Sequence, residues 1–122
     1  MDIRTLTDDL SVTGQITQDQ LAQIAAQGFR AIICNRPDGE EPEQPSFVQI
    51  EQAARAAGLE ARYLPVTQAD LTDDKAAGFA NLLNTLPGPV LAYCRSGMRS
   101  STLWSASPRS ASPSRPPPGP PA

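Results

Sequence analysis

At 122 residues the chain has room for one domain and not for two well-filled cores. Ten Lys and Arg stand against 13 Asp and Glu, a net charge of −3 with no basic stripe, which argues against a nucleic-acid partner. There is no histidine and there are only two cysteines, Cys34 and Cys94, which excludes Ser-His-Asp and Cys-His catalysis, His-containing metal sites and a four-cysteine zinc site; neither metal nor cofactor is expected.

No basic-plus-apolar stretch opens the chain as a signal peptide would, and no apolar run approaches the ~18 residues of a membrane span, so a cytoplasmic protein without membrane contact is expected. Short apolar runs at Ile3 to Leu6 and Leu10 to Val12 suggest two small strands before Gly14. Thr17 and Gln20 have the form of a capping box, Leu21, Ile24 and Ala25 recur at helical spacing, and Gly28 closes a helix of about ten residues. Ala31 to Cys34 then reads as a buried parallel strand.

The segment Asn35 to Pro45 is rich in turn residues and reads as a loop, with Glu40, Glu41 and Glu43 as a solvated acidic run. Ser46 and Gln49 repeat the capping box ahead of a helical face of Phe47, Ile50 and Ala54, closed by Gly58. Ala61 to Val66 is a further strand, with Thr67 to Leu71 as its exit loop. Thr72, Asp73 and Asp74 place a cap and negative charge at the start of a third helix, with Phe79, Leu82 and Leu83 on its core face and Pro87-Gly88-Pro89 at its end. Val90 to Tyr93 is the last strand, and Cys94 stands where it ends.

This alternation predicts a small three-layer α/β domain, a mainly parallel central sheet with helices on both faces. The loops after Cys34, Val66 and Tyr93 should converge at the carboxyl ends of the strands, where such sheets bind ligands. The domain is expected to span residues 1–104. Residues 105–122, rich in Ser and Pro and ending in a run of prolines, read as a disordered tail whose abrupt composition resembles a frame-shifted terminus.

Chemistry concentrates in Cys94-Arg95-Ser96-Gly97-Met98-Arg99. A glycine-containing turn from strand to helix can aim successive backbone N–H groups inward, and a cysteine at its base, near a helix N-terminus and two arginines, should be a thiolate at neutral pH without any histidine. Cys94 is the expected nucleophile and Arg99 the residue that forks onto an oxyanion. Arg95, Ser96, Gly97, Met98 and Ser100 are expected to complete the anion-binding loop, the Ser96 and Ser100 hydroxyls being within reach of the sulfur. Arg36, Asp38 and Asp70 are the candidate supporting residues, with Asp70 and Asp73 as available general acids. Cys34, following two isoleucines, reads as a small buried residue.

Asn35-Arg36-Pro37-Asp38-Gly39-Glu40, Leu64-Pro65-Val66 and Pro89 to Ser100, with Leu103-Trp104, resemble the bacterial beta-lactamase-hydrolase-like protein phosphatase-like domain. The resemblance implies a fold similar to the dual-specificity and tyrosine phosphatases, with Cys94 as nucleophile and Arg99 as anion-binding arginine. It also implies a separate persulfide dioxygenase as partner, since some members are fused to such a domain. Phosphatase loops place five residues between cysteine and arginine, whereas here there are four, as in single-domain rhodaneses, and Tyr93 stands where tyrosine phosphatases usually have histidine.

The expected substrate is a small anion: thiosulfate, a persulfide or a phosphoester. Sulfur transfer through a Cys94 persulfide ranks first and phosphoester hydrolysis through a phosphocysteine second. A third reading is a catalytically impaired anion-binding fragment, because Pro108 limits the helix after the active loop to about two turns.

Overall fold

The structure, a computed structural model, describes residues 1–108. Five strands form one sheet in the order β1-β2-β5-β3-β4: β1 (Arg4–Thr7), β2 (Leu10–Thr13), β3 (Ala31–Cys34), β4 (Glu60–Tyr63) and β5 (Val90–Tyr93). β1 and β2 form an antiparallel hairpin, and every other pairing is parallel. Among the described residues the α-helices are α1 (Leu21–Ala26), α2 (Phe47–Ala56), α3 (Asp73–Thr85) and α4 (Met98–Ala106).

Strand periodicity divides the core into two layers. Ile32, Cys34, Leu91 and Tyr93 pack with Leu21 and Ile24 of α1 and Ile50 and Ala54 of α2. Their immediate neighbours Ala31, Ile33, Val90 and Ala92 pack with Phe79 of α3 and Leu103 of α4 on the opposite side. Helices therefore cover both faces, which is why β3 and β5 read as unbroken apolar runs and all eight of their residues are buried.

The predicted strands and helices are all present, with shifted ends. The first helix opens with a 3-10 turn, Gln18–Gln20, behind the Thr17 capping box, and α1 proper is only six residues. The strand expected over Ala61 to Val66 pairs only through Glu60–Tyr63: the Leu64 N–H still makes the ladder bond to the Cys34 carbonyl, but the next donor, the Val66 N–H, goes to the Asn35 carbonyl, out of register. α4 extends to Ala106, two residues past the expected domain end at 104, and stops before Pro108. Of the predicted tail at 105–122, residues 109–122 lie outside the described residues. Among the described residues no helix is long and apolar enough to cross a membrane.

The order of strands sets the position of the site. β5 lies between β2 and β3, all three parallel, so the loop after β5 emerges flanked by the loops after β2 and β3. Chain direction and strand order place the C-terminal ends of these strands at one edge, the position where open α/β sheets bind ligands.

Candidate active site

Cys94 follows β5 directly and is 1% exposed, its N–H facing the Thr13 carbonyl at 3.4 Å. The loop turns at Gly97, whose φ of +93° is a left-handed conformation that favours glycine, and α4 begins at Met98. This turn brings the Gly97 N–H to 3.1 Å from the Cys94 Sγ. Burial pushes the Cys94 thiol up, but the backbone N–H groups of Ser100, Ser96, Arg99 and Gly97 together outweigh it, and the thiol ends below its ordinary value. At Gly97 the loop thus aims a backbone N–H at the sulfur, the arrangement that the expected nest requires.

The loop is braced from outside by the segment that follows β2. The Arg95 carbonyl accepts the Gln15 N–H at 3.2 Å, and Gly14 lies so close that a Cβ there would be 2.8 Å from the same oxygen. From the same side, Arg4 of β1 donates to the Ser96 carbonyl at 3.4 Å.

Arg99 is buried, and its guanidinium has three partners at short range. Nη1 donates to Glu40 Oε2 at 2.7 Å and to the Val66 carbonyl at 2.8 Å, while Nη2 donates to Glu40 Oε1 at 2.8 Å. A negative Cys94 sulfur further favours the charged form of Arg99. Arg36, 2% exposed, is the second cation of the cluster, reaching Glu40 at 2.9 Å, Glu41 at 2.8 Å and Gln15 Oε1 at 3.1 Å. A buried guanidinium needs such partners to offset its lost hydration. Arg99's hydrogen bonds, against a smaller opposing effect of burial and with help from Arg36, pull the Glu40 carboxyl down to about 2.

Two members of the acidic run of the β3 loop therefore do more than face solvent. Glu40 and Glu41 neutralise the site's arginines, and Arg95 comes within 3.8 Å of Glu41. A cleft of about 440 Å³ opens above this cluster, lined by Arg36, Glu40, Gln68, Arg95, Ser96, Met98 and Arg99.

Other expected residues lie elsewhere. Asp38 Oδ1 accepts the Phe47 N–H at 2.8 Å, tying the β3 loop to the start of α2 rather than facing Cys94. Asp70 Oδ1 accepts the Thr67 N–H at 2.6 Å and the Thr67 hydroxyl at 3.2 Å, closing a 3-10 turn. Asp73 is the first residue of α3, behind the Thr72 cap. Ser96 lines the cleft, its hydroxyl accepting the Met98 N–H at 3.4 Å. Ser100 is fully buried, and its hydroxyl donates to Asn35 Oδ1 at 2.8 Å rather than to the sulfur.

Cys34 behaves as read from the sequence. It is 2% exposed, faces the α1 and α2 layer, hydrogen-bonds the Arg36 carbonyl at 3.3 Å, and burial pushes its thiol up to about 11.

Residues 2–111 match the family described as Beta-lactamase hydrolase-like protein, phosphatase-like domain. The chain belongs to this family. A Beta-lactamase hydrolase-like protein of Xylella fastidiosa is 37% identical over 107 residues, covering 88% of this chain but 25% of that protein. The chain thus spans about a quarter of the length of the curated relatives it matches.

A crystal structure of a candidate phosphatase from Neisseria meningitidis superposes with a TM-score of 0.82 at 42% identity, over 86% of this chain and 75% of that one. The catalytic domain of the PP-IP phosphatase SIW14 from S. cerevisiae shares the fold at a TM-score of 0.60 and 9% identity, over 78% of this chain and 56% of that one. The phosphatase-like domain here thus has the α/β architecture of the dual-specificity and tyrosine phosphatases. The Neisseria protein, at 42% identity, is described as a candidate phosphatase, and the family by its phosphatase-like domain.

Proposed function

We propose that this phosphatase-like domain is a cysteine-dependent group-transfer enzyme for small oxyanions, and that its reaction is sulfur transfer. The Cys94 thiolate attacks the outer sulfur of thiosulfate, the S–S bond breaks, and its electron pair leaves with sulfite. The outer sulfur remains on Cys94 as a persulfide. An acceptor thiolate then attacks that sulfur and releases the Cys94 thiolate. The amides of the loop and the Arg99 guanidinium supply the positive field for the donor's oxygens.

The state of the site's carboxylates carries this reading. An alkoxide leaving from a phosphoester needs a proton as it departs, whereas sulfite leaves as a stable anion. Glu40, held at about 2 by two arginines, carries no proton at neutral pH. Asp70 is engaged as an acceptor in its own turn. The four-residue spacing between Cys94 and Arg99 supports the same choice.

Phosphoester hydrolysis through a phosphocysteine is the second reading, and the family and the structural neighbours favour it. Intact mass after incubation with thiosulfate separates the two. Gain of one sulfur atom, lost on adding cyanide and absent in Cys94→Ala, is the expected result. Release of phosphate from an aryl phosphate, lost in Cys94→Ser and unaccompanied by any sulfur adduct, would replace the first reading with the second. Neither activity in a cooperatively folded chain would leave an anion-binding module.

A further inference from the structure

Arg4 opens β1 and pairs with Val12, so the antiparallel hairpin sets it beside the carboxyl end of β2, one strand away from the end of β5 where the active loop begins. From there it reaches across β2, and its Nη2 donates to the Ser96 carbonyl at 3.4 Å. The guanidinium fills the space beside Gly97: a Cβ built on that glycine would lie 2.5 Å from the same Nη2.

The Ser96–Gly97 peptide is planar and trans, so its carbonyl and its N–H point to opposite sides. The carbonyl points out to Arg4, and the N–H therefore points in, where it meets the Cys94 Sγ at 3.1 Å. The preceding peptide is held in the same sense by backbone, the Arg95 carbonyl accepting the Gln15 N–H at 3.2 Å. Glycine leaves the Ser96–Gly97 peptide free to turn over. With φ +93° and ψ −11°, Gly97 has the values of the third residue of a type II turn. Rotating the preceding peptide by half a turn carries φ to about −90° at nearly the same ψ, the type I geometry. In that orientation the Ser96 carbonyl oxygen would face the sulfur and repel a thiolate.

We infer that Arg4 is a positioning residue for the active loop: by holding the Ser96 carbonyl on the outer side, it keeps the Gly97 N–H on the Cys94 sulfur. A cation on the carbonyl also polarises the peptide and strengthens its N–H as a donor. The charged groups that face the loop from the cleft are Arg36, Glu40, Arg95 and Arg99, and their ion pairs do not involve Arg4. The inference rests on the reading of Cys94 as the reactive thiolate.

Arg4→Met, which keeps the aliphatic stem and removes the donors, tests it in two measurements. The pH midpoint of Cys94 alkylation by iodoacetamide should rise by about half a unit, the weakening of one hydrogen bond to a charged group. The rise should persist in about 1 M salt, where a charge acting at a distance is screened. The Gly97 amide signal, followed by NMR through the same titration, should move with Cys94 ionisation in the parent and at most half as far in Arg4→Met. Arg4→Lys, which keeps a charged donor for the carbonyl, should recover most of both effects.

An unmoved midpoint with an undiminished Gly97 response in Arg4→Met would overturn the inference. So would a rise that vanishes at high salt, since Arg4 would then act only as a remote charge. Arg4 is exposed on an edge strand, so the variants should unfold cooperatively in urea like the parent. A parent midpoint at the free-thiol value would overturn the proposed function instead, while the Gly97 response, compared between parent and variant, would still read the role of Arg4.

Discussion

Replacing Glu40 by glutamine removes the anion shared by Arg99 and Arg36 while keeping the side chain's shape. A carboxyl held at about 2 rather than 4.5 is bound more tightly in its ionised form by about 3 kcal/mol. Since 28% of the side chain is exposed, water screens part of this, and Glu40→Gln should lower stability by about 2 kcal/mol at pH 7. In the unfolded chain the carboxyl returns to its ordinary range, so the contribution is complete above about pH 4.5 and is lost as pH falls through about 2. Urea unfolding of both proteins at a series of pH values is the assay. The stability gap should be constant from pH 7 down to about 5 and narrow progressively below 4.5. A gap equally wide at pH 7 and pH 3 would refute the claim that the two arginines hold this carboxylate ionised.

Iodoacetamide at neutral pH should label Cys94 and spare Cys34 until the chain is denatured, because one thiol is lowered by amides and the other is raised to about 11 by burial; equal labelling in the folded state would contradict both assignments. Gly14→Ala drives a Cβ to 2.8 Å from the Arg95 carbonyl, so turnover should fall about tenfold or more with cooperative unfolding retained. Unchanged turnover would show that the loop tolerates displacement from the β2 side. Arg99→Lys cannot span both Glu40 oxygens and the Val66 carbonyl, and sulfur transfer in steady-state assays should drop about 100-fold, against little change if only net charge mattered.

The architecture was largely legible because each local signal agreed with the global fold. Ala31–Cys34 and Val90–Tyr93 are covered by helices on both faces, and that burial shows in the sequence as unbroken apolar runs. The capping boxes at Thr17 and Ser46 open their segments as read, and the Thr72 hydroxyl accepts the Lys75 N–H at the start of α3. Strand ends were less legible, since where Glu60–Tyr63 leaves the ladder depends on carbonyls of another segment.

The Cys94 loop could be found from the sequence because strand end, thiol, glycine and helix start are contiguous, and the Gly97 N–H meets the sulfur from only three residues away. What surrounds that loop could be decided only in three dimensions. Glu40 reads as an ordinary loop acid until the fold brings it to Arg99, 59 residues away, and Ser100 reads as a hydroxyl for the sulfur until Asn35, 65 residues away, accepts its hydrogen bond. Asp38 looks available until it is seen bound to the start of α2, and Asp70 until it is seen bound within its own turn. Composition and periodicity determine which backbone forms and where a nucleophile stands. Which charges and protons face it depends on pairings between distant loops, where a hydrogen bond's few ångströms of reach are set by the order of strands in the sheet and leave no local trace.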